Sequence, residues 1–293
     1  MPPAPKSAPK SGSTPRSTPA RRPRSYDPAK VRTALAAQTE ALRAAVRRLC
    51  AAPDAEALLA RPTRLGEWTV RELVAHLAQQ VGWVPRHLDE PLQGRAPLSL
   101  LQWVAGVGSV APALDAAARE QAAGDFGAAP ERVAALFDAE ADALLALLAD
   151  EAAVEPGRRF EIRLGSMLLT DMLVTRLMET VVHADDLADA LDIEDFPHHR
   201  QALAAVSRLL ADAFADQAPG GSVELRVPPY AVVQGVAGPR HTRGTPPNVV
   251  ETDPLTWIRL ATGRAGWAAA VDDGAVSASG ERSDLSGYLP VMA

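Results

Sequence analysis

The sequence predicts a mainly α-helical protein, a helical bundle followed by a small α+β domain. Three observations carry this. Apolar residues recur at three- and four-residue spacing in segments between residues 28 and 215, the period of a buried helix face. The breaker cluster Pro219-Gly220-Gly221 ends that pattern, and beyond it apolar and polar residues alternate as in a strand. The chain has 293 residues, 47 % hydrophobic and 23 % charged, which is a globular composition long enough for two domains.

In chain order, Asp27-Pro28 is an N-cap followed by a first-turn proline. The helix it starts runs to about Cys50, with Val31, Leu35, Leu42, Val46 and Leu49 on one face. A short helical segment falls near 54–60. The best-marked helix is 69–82: Thr69 and Glu72 are spaced as a capping box, and Leu73, Leu77 and Val81 form its stripe. His76 lies between Leu73 and Leu77 on neighbouring turns and faces inward or nearly so. Residues 83–129 give no clear period, although Trp83, Trp103 and Phe126 suggest packing. Helices are predicted again over about 130–150, 167–191 and 198–215. Past the breaker, 222–227 and 231–236 read as strands, Asp253-Pro254 starts a helix that Gly263 ends, and 276–279 is a short strand. The expected division is a tail over 1–25, a helical domain over 26–218 and an α+β domain over 219–293.

Composition excludes several classes. No run approaches 18 apolar residues, so no membrane-spanning helix is predicted. Cys50 is the one cysteine, which rules out an internal disulfide framework and a cysteine-based zinc cluster. It reads as a buried small hydrophobe and fits a reducing, cytoplasmic setting. The net charge is −6, yet residues 1–25 carry six basic residues and no acid. The remainder is therefore acidic and poorly suited to tracking a phosphate backbone, so nucleic acid is not the expected partner. The proline-rich arm cannot bury enough surface to order itself and lacks the apolar core of a secretory signal. It reads as a solvating tail, with a polyanion-binding arm as the sharper alternative.

The chemistry-bearing pattern lies near residue 180. Met172, Arg176, Glu179, His183 and Asp186 follow steps of 4, 3, 4 and 3, so they share one helical stripe flanked by apolar residues. Buried ionisable groups are costly unless they are paired or hold metal. Glu179 and His183, four apart, project side by side, and His76 is the natural third ligand of a two-histidine, one-carboxylate set. Such donors suit Zn²⁺, Ni²⁺, Fe²⁺ or Mn²⁺. The other reading is a weak pair on a solvated face and a satisfied core histidine. Arg176 and Asp186 fit either a solvated face or groups that orient Glu179 and His183 around a bound cofactor. His87, His198 and His199 have no partner pattern and read as surface residues.

The segments LGEWTVRELVAHL (65–77) and TRLMETVVHADDL (175–187) resemble the two signatures of the mycothiol-dependent maleylpyruvate isomerase family. The resemblance covers about 28–217 and implies a DinB-like four-helix bundle. It implies that His76, Glu179 and His183 ligate one divalent metal, and that the metal activates a thiol cosubstrate, mycothiol. The absence of a catalytic cysteine fits a thiol brought in by the cosubstrate. One position departs from the pattern: Asp185 stands where the family often has an aromatic residue, and an added carboxylate there is expected to repel a thiolate or anionic substrate.

The C-terminal segments VELRVPPYAVVQ, GPRHTRGTPPNVVETDPLTWIRLATGR and GAVSASGERSDLSGYLPVM resemble the bacterial sterol-carrier-protein-like domain, which in actinobacteria follows an isomerase-like helical domain. That resemblance implies helices packed on a sheet, and raises an apolar-ligand tunnel lined by Leu255, Trp257, Ile258 and Leu260; the same residues also read as a plain core. Arg240, His241 and Arg243 sit in a loop that reads either as a solvated tip or as a grip for carboxylate or phosphate. The leading expectation is a thiol-dependent isomerase or transferase acting on an electrophilic substrate. The rival is a carrier of an apolar ligand that keeps the bundle as a scaffold.

Overall fold

The computed structural model describes residues 24–155, 157–238 and 247–292. The basic arm up to residue 23 and the Arg240–Gly244 loop lie outside the described residues. Four long helices form a ring: α1 (Pro28–Cys50), α6 (Pro130–Ala149), α3 (Val70–Arg86) and α7 (Leu169–Ala190), each packed on the next and α7 closing back on α1. This is a DinB-like helical bundle followed by a small α+β unit.

Local chemistry explains the starts of these helices. Asp27 accepts from the Ala29 and Lys30 amides at 3.0 and 3.1 Å, and Pro28 opens α1 where no amide partner is needed. At α3 the Glu72 carboxylate reaches back to the Thr69 amide at 2.7 Å. Glu72→Ala is expected to cost about 1 kcal/mol, read as a lower urea midpoint with an unchanged slope; an unchanged midpoint would mean that Glu72 does not hold the end of α3.

Between α1 and α3 lies the short α2 (Ala55–Leu59). The region without a clear period, 83–129, contains the end of α3, then α4 (Leu100–Gly106) and α5 (Ala111–Ala123), joined by a 3₁₀ turn over Val107–Val110. By length and composition alone, Leu100–Ala123 taken whole is long and apolar enough to cross a membrane, which does not establish a span. Here the 3₁₀ turn breaks it, and few of its side chains are buried. Its alanines make it apolar without the bulk that gives a periodic core face.

A hairpin of β1 (Arg159–Ile162) and β2 (Gly165–Leu168) precedes α7 and pairs Phe160 with Met167. The helix predicted from residue 167 therefore starts later, because Met167 and Leu168 are committed to this ladder. After α7, α8 (Arg200–Gln217) packs on α1 and α7 on one side and on the C-terminal elements on the other. Those elements are β3 (Val223–Val227), β4 (Ala231–Gly235), β5 (Val249–Thr252), α9 (Pro254–Ala261), α10 (Trp267–Asp272) and β6 (Val276–Ser279). The sheet order is β4-β3-β5-β6, with β3 and β5 parallel and the other pairs antiparallel.

Trp257 is 1 % exposed, meets Phe214 edge-on at 6.1 Å and donates from its indole to the Ser207 carbonyl. Ile258, Leu260 and Ala261 are buried with it, while Leu255 is half-buried. This packing favours the plain-core reading of α9. His198 and His199 are not surface residues as the sequence suggested. Gln38, fully buried on α1, donates to His198 Nδ1 at 3.2 Å and accepts from the His199 amide at 3.1 Å. Burial lowers the His198 pKa to about 4.

Candidate metal centre

The LGEWT turn delivers α3 to the site. Gly66 takes a positive φ of 61°, which a side chain would disfavour. The chain then folds back so that the Thr63 amide and hydroxyl both donate to the Trp68 carbonyl. The Trp68 indole donates to Asp115 and its ring lies 5.2 Å from that of His76. The ring beside His76 thus excludes water from one side of it.

α3 and α7 pack side by side, which brings His76 to Glu179 and His183. One ligand atom from each of the three lies within 4.8 Å of the others. His76 Nε2 stands 3.5 Å from Glu179 Oε2, and His183 Nε2 stands 3.4 Å from the same oxygen. His76 is 3 % exposed, and neither of its ring nitrogens has a hydrogen-bond partner among the described residues. Two orphaned polar atoms in a buried ring are expensive. A cation accepting a lone pair from one of them removes part of that cost, and the donor set of two imidazoles and a carboxylate matches zinc and its neighbours. The residues present therefore fit a divalent metal.

The electrostatics favour ligation at His76 and Glu179 and set a proton in competition at His183. Burial lowers the His76 pKa, keeping the ring neutral as a ligand requires. Burial also opposes ionisation of Glu179, but His183, His76 and Arg176 outweigh it and hold that carboxyl well below the usual range. For His183, burial disfavours the cation, while Asp186 and Glu179 more than compensate and raise its pKa. The His183 Nδ1–H donates to Asp186 Oδ2 at 2.8 Å, which leaves the Nε2 lone pair turned toward Glu179 when the ring is neutral.

Asp186, with no side-chain exposure, is itself held by arginines from two distant segments. Arg64, just before the LGEWT turn, donates to Oδ1 at 2.7 Å. Arg264, beyond α9, donates to Oδ2 at 3.0 Å. Despite burial, His183 and Arg264 push its pKa far down. Asp185 does not stand free beside the ligands, as the sequence led one to expect. Arg259 of α9 grips both of its oxygens, at 2.6 and 2.9 Å, and Arg64 reaches it at 2.5 Å. Its charge is met by guanidinium groups, so the repulsion expected of a thiolate is largely cancelled.

Arg176 sits one turn before Glu179 but hydrogen-bonds elsewhere, to Gln80 on α3 and to Thr175. Its guanidinium carbon lies 5.8 Å over the Trp83 ring. Arg176, Glu179, Gln80 and Trp83 all border a cavity of about 430 Å³ that the β1–β2 hairpin and the α4–α5 segment also wall. His87, read as a surface residue, stacks on Trp83 at 4.2 Å and lines the same cavity. Sequence reasoning missed Gln80, Trp83 and His87 as a group, although 76, 80, 83 and 87 repeat the 4-3-4 steps used to pick out α7. Arg64, Arg259 and Arg264 carried no local signal. Cys50 is buried at the end of α1, and burial raises its thiol to about 11, so it is no ready nucleophile.

Residues 39–188 match the family model described as mycothiol maleylpyruvate isomerase N-terminal domain, and residues 199–291 match the one described as bacterial SCP ortholog. The second match includes α8. No curated protein matches the chain. Two solved structures, titled as crystal structures of the mycothiol-dependent maleylpyruvate isomerase and of a mutant of it, align with a TM-score of 0.55 each. They are 18 % and 17 % identical, and the alignments cover 88 % of this chain and 95 % of theirs. At that identity the likeness is one of fold.

Proposed function

The chain belongs to the mycothiol maleylpyruvate isomerase N-terminal domain family, and from that premise we propose that it is a metal-dependent enzyme that adds or transfers a low-molecular-weight thiol, mycothiol or a close analogue, to an electrophilic small molecule inside the cell. The observation that carries the reading is His76, a buried ring whose two nitrogens have no hydrogen-bond partner among the described residues, beside Glu179 and His183. When bound there, a divalent cation, zinc for preference, supplies positive charge that favours the thiolate over the thiol.

The chain's own residues do the rest. Asp186 keeps the proton of neutral His183 on Nδ1 and fixes the ring. Trp68 shields His76 from water, and the neighbouring cavity gives an electrophile room next to Glu179. Holding two reactants in one place is itself a large part of the rate gain.

Chelator-treated protein is expected to lose thiol-dependent turnover across a panel of electrophiles and to regain it on addition of zinc. Protein that binds zinc tightly yet is inactive with every thiol and electrophile pair would overturn the reading. The match of residues 199–291 to the bacterial SCP model supports a second reading, a carrier of an apolar ligand. On that reading a fluorescent fatty-acid probe binds tightly, and Ala261→Trp, at a fully buried position in α9, abolishes its binding while metal content stays unchanged.

A further inference from the structure

Thiol activation accounts for the ligand triad but leaves Arg176 without a task. This side chain is 8 % exposed and borders the cavity, yet among the described residues it forms no ion pair with a carboxylate. Glu179 acts on it only through its field and is itself shared between His76 and His183. A buried guanidinium with no carboxylate in ion-pair contact is costly in a protein that gains nothing from it. Its fork of donors matches a carboxylate, and Gln80 and Thr175 hold it in place by accepting from it.

Two other charged groups of the cavity, Glu161 and Arg159, are already engaged. Glu161 accepts from the backbone amides of Gln93, Gly94 and Arg95 at 2.8, 2.8 and 2.9 Å. Arg159 is bonded to the hydroxyl and carbonyl of Ser166. At the inner end the Arg176 guanidinium stands near Glu179, which His76 and His183 engage, and an apolar wall of Trp83, Trp103, Phe160, Val107 and Leu164 lines the rest.

We propose that the cavity beside the ligand triad takes an amphipathic monocarboxylate, its carboxylate on Arg176 and an aromatic or bulky apolar body along Trp83, Trp103 and Phe160. Two flat indoles and a phenyl ring suit such a body by stacking and area. The proposal rests on the enzyme reading only in making this ligand the electrophilic partner; its binding is measurable without turnover.

The test is titration of the full-length, chelator-treated protein with trans-cinnamate and with its neutral counterpart cinnamamide, followed by tryptophan fluorescence and calorimetry. Cinnamate is expected to bind about 10-fold or more tightly than the amide. Arg176→Met should erase that preference and leave amide affinity within about twofold. Ala113→Trp, at an exposed position on the cavity wall, should weaken both ligands about 10-fold or more without altering zinc content. Equal binding of acid and amide to the wild type would overturn the proposal, as would an acid preference that survives Arg176→Met. Cinnamate binding that requires zinc and persists in Arg176→Met would also overturn it, since the carboxylate would then sit on the metal. Cinnamate binding with the expected pattern, in a protein that shows no thiol-dependent turnover, would support the proposal and count against the enzyme reading alone.

Discussion

Glu179→Gln is expected to leave the purified protein almost free of tightly held divalent metal. Glu179 is the one anionic member of a cluster whose other members are two imidazoles. The amide preserves shape and removes charge, so the lost affinity reports ligation and not packing. Changing a partner outside the ligand set typically costs 10–100-fold in metal affinity. Loss of a direct anionic ligand should exceed that, so a fall of at least about 100-fold is expected in competition against a colorimetric chelator. Wild-type affinity in the variant would mean that Glu179 does not hold the ion. A pH dependence accompanies this. Asp186 and Glu179 raise the His183 pKa, so protons compete for that nitrogen up to a higher pH than at an ordinary histidine, and metal affinity falls as pH drops.

Asp186→Asn is expected to be the most destabilising single change at the site. The carboxylate has no side-chain exposure and answers to His183, Arg64 and Arg264 at once. Removing one partner of a buried charge network costs about 3–5 kcal/mol, because the opposite charges stay buried without compensation. In a protein of this size that corresponds to a thermal midpoint lower by about 10 °C, to be measured with chelator present so that metal does not contribute. Metal affinity should fall about 10–100-fold as His183 loses its orientation. The folded-state pKa of Asp186 is depressed, so its stabilisation is present above the ordinary aspartate pKa and fades as pH falls. The gap between wild type and variant should accordingly narrow below about pH 4. A midpoint unchanged at neutral pH would show that the network does not hold the fold.

Much of the bundle was legible because its signals are local. Asp27-Pro28 and the Thr69–Glu72 spacing lie within one helical turn, and the stripes of α1, α3, α6 and α7 each lie within one helix and repeat every three or four residues. The α7 stripe located Arg176, Glu179, His183 and Asp186 through periodicity alone, and the inward face of α3 located His76. Elements without a local period were not legible. α5 is alanine-rich, the β1–β2 hairpin is four residues a side, and β5 is a four-residue strand too short to show a period. The charge state around Asp185 was misjudged for a related reason. Its partners Arg64 and Arg259 lie 121 and 74 residues away in sequence, a separation that only tertiary folding closes.

The meeting of Arg259 and Arg264 with Asp185 and Asp186 limits how freely the two parts of this chain can be exchanged in evolution or engineering. A bundle cut after α8 would retain two carboxylates shaped for arginines it no longer has, one of them bonded to a histidine of the candidate metal set. A small domain transplanted from elsewhere would have to bring two arginines, five residues apart across the end of α9, at the same height along α7. The junction thus works like a keyed connector. A hybrid whose small domain lacks those two residues is expected to have a weakened fold and a loosened His183, so an exchange of domains is felt at the candidate metal set as well as at the interface.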